Sequence, residues 1–145
     1  MLTVWQSAIE RHLAPISSGR LERGGAGLSD RDGAVRVLPD LGVLLAAVEA
    51  SGEAVLITSA ELDEPGPRIE YVNPAFTCLT GYTVNEVIGR TPRILQGPDT
   101  DRDVLDRMRT ALSAGEPFQA ETINYRKDGT TYVVEWLITP VREPD

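Results

Sequence analysis

Residues 89–101, GRTPRILQGPDTD, hold the densest group of side chains in the chain that could do chemistry on a ligand. Arg93 and Gln96 stand beside a flexible Gly-Pro pair, just before a helix start. That grouping suits an anionic, planar ligand. A guanidinium grips a phosphate through two parallel hydrogen bonds, and a carboxamide offers a donor and an acceptor to a heterocyclic edge. The same arginine stands near many aspartates, so ion pairing within the chain is an equal alternative. Gln96 could equally satisfy buried backbone groups.

Other chemistries lack their residues. The 145-residue chain has one cysteine, Cys78, and one histidine, His12, so a disulfide framework, a cysteine-based zinc site and a Ser-His-Asp triad are all without material. Fourteen basic residues against twenty-two acidic ones leave a net charge of −8, which argues against a basic grip on nucleic acid or anionic lipid. The longest apolar run, residues 43–48, is too short to cross a bilayer, and Glu10, Arg11 and His12 interrupt the apolar N-terminus where a signal peptide would need continuity. The expectation is a cytoplasmic protein that is not an enzyme, with neither nucleic acid nor membrane as a partner.

The elements that would position Arg93 and Gln96 follow from periodicity. Leu2, Trp5, Ile9, Leu13 and Ile16 recur at spacings of three and four, which predicts an amphipathic helix over residues 1–16. Either it packs on its own domain or it binds a partner or a second copy. Five glycines amid Ser, Arg and Asp make residues 17–39 a linker, with a very short strand possible at Val35, Val37 and Leu38. Asp40 caps a second helix, whose Leu41, Leu44, Leu45 and Val48 share a face. AVLITS at 54–59 and residues 68–72 read as strands around the Pro65-Gly66-Pro67 turn. Asn73-Pro74 starts a short helix that ends at Gly81, and 84–88 makes another turn of helix.

Residues 100–114 form the clearest helix, with Asp101 and Asp103 at its positive end and Val104, Leu105, Met108 and Leu112 inward. Strands at 118–125 and 131–141 flank Asp128-Gly129, a hairpin signal. The class is α+β, an antiparallel sheet with helices on one face.

YVNPAFTCLTGYTVNEVIGR at 71–90 and INYRKDGTTYVVEWLITPVRE at 123–143 resemble the signatures of PAS domains, in the right order and over about residues 42–143. GRTPRILQGPDTD is similar to the GRNCRFLQGPETD motif of LOV domains, the flavin-binding blue-light branch of that family. The resemblance implies FMN or FAD. It places the flavin phosphate at Arg93 and Arg109 and the polar parts of the flavin at Gln96 and Asn124. Leu95, Leu105 and Met108 become apolar walls, and Thr58 a further pocket residue.

Three departures oppose it. Pro92 stands where LOV domains carry the cysteine that forms the flavin adduct, Thr91 replaces the preceding Asn, and Val134 replaces a polar side chain at the flavin edge. Adduct formation as in LOV domains is excluded. Cys78 lies in the Asn-Pro-Ala-Phe helix, where the resemblance does not aim it at the ring. Asn124 has a plainer reading as a partner for buried backbone, Trp136 as a core residue, and His12, Glu121 and Glu135 as surface residues. Glu61, Asp63 and Glu64 read as a solvated loop.

PAS domains add a fifth strand in the middle of the sheet, after the point where this chain stops at Asp145. The 40–145 unit is therefore expected to lack its final central strand. The chain is then a fragment, or a partner fills the slot, or residues 34–38 do. The implied function is a sensory or signalling module working with an output domain or partner protein, as a homodimer. It either senses light or redox state through a non-covalent flavin, or acts as a cofactor-free interaction module.

Overall fold

The computed structural model describes residues 2–9 and 40–141. Five strands and four α-helices follow one another as β1 (Leu2–Ile9), α1 (Leu41–Glu49), β2 (Ala54–Ser59), β3 (Ile69–Val72), α2 (Pro74–Thr80), α3 (Val84–Val87), a 3-10 turn (Pro92–Leu95), α4 (Arg102–Ser113), β4 (Phe118–Tyr125) and β5 (Thr131–Val141). The strands form one antiparallel sheet in the order β3-β2-β1-β5-β4.

From Leu41 to Val141 the elements match the periodicity closely, and β2, β4 and β5 have the predicted bounds. The N-terminus does not. Leu2–Ile9, expected as the start of an amphipathic helix, is a strand. It lies in the middle of the sheet, paired with β2 from Leu2↔Ser59 to Ser7↔Ala54 and with β5 from Leu2↔Val141 to Ile9↔Val134. The slot expected to be empty is therefore filled from within the chain, by residues other than 34–38.

The physical reason is tertiary. Without β1, strands β2 and β5 would each present a bare row of N–H and C=O groups. A segment with alternating buried Thr3 and Trp5 and an exposed Gln6 satisfies both rows. The three-and-four spacing was also compatible with a helix, and long-range pairing outweighed it. Residues 10–16 of the expected helix, the 17–39 linker with its possible short strand, and His12 lie outside the described residues.

One face of the sheet carries the core. Ile138, Val134, Ile69, Phe76 and Val87 are almost wholly buried between the sheet and helices α2 to α4. Asn73 ties the parts together and is fully buried. Its Oδ1 accepts from the backbone N–H of Val55 (2.9 Å) and Phe76 (3.1 Å), and its Nδ2 donates to the carbonyls of Val48 (3.0 Å) and Glu53 (2.9 Å). It caps α2 while fixing the entry to β2. Helix α1 has no buried residue, and Leu41, Val43, Leu44 and Leu45 are exposed.

Candidate functional site

Behind the inner face of the sheet lie two neighbouring spaces. An inner chamber of about 20 Å3 is enclosed by Leu56, Phe76, Leu95, Asn124, Tyr132 and Trp136, and closed by Trp5, Pro92 and Gln96. Those last three side chains also border an outer cleft of about 360 Å3, where Arg93, Arg102, Leu105, Met108 and Arg109 converge. The structure thus brings together seven of the eight candidate residues. Gln96 reaches both spaces, Leu95 and Asn124 face the chamber, and the other four face the cleft.

Thr58 is the exception. It is fully buried, and its Oγ1 accepts a hydrogen bond of 3.2 Å from Nε1 of Trp5. The N-terminal strand therefore consumes the polar group that the resemblance reserved for a ligand. Trp5 also meets Trp136 edge to face, with ring centroids 5.8 Å apart and an interplanar angle of 82°. Trp136 is buried, as its core reading required, and it forms a chamber wall as well. Sequence reasoning missed Trp5 because it was assigned to a helical stripe. Its alternation with Thr3 was the available signal.

The loop carrying Gln96 is clamped to β4. Thr100 Oγ1 accepts from the Gly97 N–H (3.0 Å) and donates to the Ile123 carbonyl (2.7 Å), and the Asp101 N–H donates to Thr122 Oγ1 (3.1 Å). Tyr125 donates its hydroxyl to Asp99 (2.7 Å) and lays its ring over Gly97, where an added Cβ would sit 2.4 Å from the ring edge. Only glycine leaves room for that close approach. Asp101 then caps α4 by accepting from Asp103 and Val104, which sets the inward face bearing Leu105 and Met108.

Two of the three arginines that line the cleft are paired. Arg93 donates to Glu64 at 2.8 Å and Arg109 to Asp63 at 3.1 Å. The acidic run read as a solvated loop is indeed exposed, yet it supplies the counter-charges of the cleft. Hydrogen bonding to Arg93, and then the charge of that guanidinium, hold the Glu64 carboxyl below its usual range. Exposed pairs of this kind are weak and readily exchanged. The chamber is electrostatically different. Burial pushes the Tyr132 hydroxyl up, against a hydrogen bond with Asn124 and the charge of Arg126. Asn124 is 2% exposed, and its Oδ1 has no partner. Cys78 is exposed on α2 and borders neither space.

A PAS domain model matches residues 52–145. The chain belongs to the PAS domain family. It is similar to Phototropin-2 of Oryza sativa subsp. japonica, at 35% identity over 92% of this chain and 15% of that protein. A blue-light-activated histidine kinase of Brucella canis is 41% identical over 66% of this chain and 19% of its own length. Among solved structures, an RNA-binding Light-Oxygen-Voltage receptor aligns over 96% of this chain and 34% of its own, with a TM-score of 0.67 and 26% identity. The dark structure of Aureochrome1 LOV aligns over 74% of this chain and 90% of its own, with a TM-score of 0.52 and 31% identity.

The chain spans less than a fifth of the length of those two curated relatives. It is a PAS domain closely related to LOV photoreceptor domains, a sensory signalling domain whose homologues are blue-light photoreceptors and sensor kinases. No helix among the described residues is long and apolar enough to cross a membrane.

That kinship poses the question of a flavin. The cleft suits its tail, with Arg93 and Arg109 among its arginines for a phosphate and an apolar wall of Leu105 and Met108. The ring does not fit. The chamber that Gln96 and Asn124 face has room for about one water molecule, because the Trp5–Trp136 pair fills it.

Proposed function

We propose that this PAS domain is a sensory module of a larger signalling protein that works without a cysteinyl adduct, and that it holds no flavin ring while β1 is docked. The observation that carries this reading is the filled chamber. Trp5 is packed on Trp136 and bonded to Thr58 where a ring would have to lie, and Pro92, without a thiol, borders the same space. Among the described residues no carboxylate, histidine or cysteine lines the chamber, which supports a module with no turnover of its own. Its output would pass through the sheet to an output domain, a partner protein or a second copy. Exposed Val133, Leu137 and Val141 on the outer face of β5 and the apolar side chains of α1 support such contacts.

The test is an absorption spectrum of the chain purified in dim light, with circular dichroism as the check on folding. A folded, colourless protein is the expected result. A stoichiometric flavin band in the blue would overturn the ring-free reading. It would favour FMN or FAD held non-covalently, the alternative supported by the convergence of Arg93, Gln96, Leu105, Met108 and Arg109 on one cleft.

A further inference from the structure

Trp5 stands at the boundary between two spaces that would otherwise be one. With Pro92 and Gln96 it borders both the inner chamber and the outer cleft. Taking away the indole joins a slot walled by Trp136 and Tyr132 to a wider mouth lined by arginines.

The joined space has a definite chemical preference. Its inner end holds Asn124 Oδ1, a buried acceptor with no donor, which suits a ligand edge bearing N–H or O–H. Its middle is aromatic and aliphatic, which suits a flat ring. Its outer end holds Arg93 and Arg109, restrained by exposed carboxylates that an anionic tail can replace.

We infer that Trp5 and a planar heteroaromatic ligand with an anionic tail are mutually exclusive occupants of the inner chamber, so that strand β1 gates a latent ligand site. This rests on the reading that the β1-docked domain is free of a ring. Thr58 has the same double allegiance, since the hydroxyl that now accepts from Trp5 is released when the indole leaves. Withdrawal of Trp5 also disturbs the central strand, which pairs with both β2 and β5. Ligand capture is thereby coupled to the sheet.

The experiment uses FMN as the probe, titrated into the wild-type chain and into Trp5→Ala and Trp5→Leu, with circular dichroism to confirm folding. Flavin fluorescence anisotropy is expected to show binding tighter by about ten-fold or more in a folded variant than in the wild type. The chain has two tryptophans, so 5-fluorotryptophan labelling gives one 19F signal for each. Millimolar FMN added to the wild type is expected to move the Trp5 signal from its buried to a solvent-exposed position, in proportion to bound FMN.

Equal FMN affinity in variant and wild type overturns the inference, as does a folded variant that binds none. A Trp5 signal that stays in its buried position while FMN is bound to the wild type overturns it without recourse to any variant. Flavin that co-purifies with the wild type separates the two readings. With Trp5 displaced it removes the ring-free proposal and keeps mutual exclusion, and with Trp5 still buried it removes both.

Discussion

The cleft and the chamber share three side chains and are closed by opposite means. In the cleft, Arg93 and Arg109 are neutralised by Glu64 and Asp63, four long or exposed side chains in water. Such contacts depend on salt and release at little cost. In the chamber the closure is dry: an edge-to-face tryptophan pair, a buried hydroxyl, and a strand stitched on both sides. A charged group can therefore reach the mouth of this domain by exchanging exposed carboxylates, whereas the chamber is closed by buried side chains on a strand paired along both edges.

The contrast can be broken most severely from the dry side. Trp136→Ala removes the wall on which Trp5 rests, and a loss of about 3–5 kcal/mol in unfolding free energy is expected in denaturant titration. A loss near zero would show that the pair is not a closure at all. Thr58→Val leaves the Trp5 N–H buried without an acceptor, and should cost about 1–3 kcal/mol by the same measurement. Gly97→Ala pushes a methyl group into the Tyr125 ring and loosens the loop that carries Gln96. About 1–3 kcal/mol is expected, with the Tyr125 contact to Asp99 lost in the crystal structure of the variant.

The wet side should answer weakly. Asp63→Asn combined with Glu64→Gln is expected to leave the melting temperature within a degree or two, and to abolish what salt dependence the cleft has. A large drop in stability would make the acidic loop a structural clasp.

A control lies away from both spaces. Lys127 and Thr83 hold the Glu86 carboxyl down to about 2. A depressed folded value means that this contribution is complete above the ordinary carboxylate range and is lost as pH falls from about 4.5 towards 2. Glu86→Gln should flatten that acid limb in pH-dependent melting and leave the behaviour at neutral pH of the cleft and chamber untouched.

Local chemistry made much of this legible in the sequence. Asn73-Pro74, Asp101 before a helical face, and Asp128-Gly129 between β-branched runs each name their own structure, and each stands where it was expected. The motif around Arg93 and Gln96 likewise led to real neighbours in space. Reading failed where the decisive interaction was remote. Nothing near Trp5 announces that its backbone partners are Leu56 and Ile138, and an eight-residue strand of mixed polarity imitates part of a helical stripe. The hydrogen bond at Thr58 was illegible for the same reason, since its partner is 53 positions away. The apolar face of α1 left its partner open, because an amphipathic pattern does not say whether the partner lies in the same chain.

Helix α1 has no side chain buried in the domain, yet its last turn is held where the Asn73 carboxamide grasps the Val48 carbonyl. The same carboxamide holds the first residues of β2 and α2. Among the described residues the helix is thus tied through one buried carboxamide, and a pull along it would be delivered to the root of the strand that lies beside Trp5.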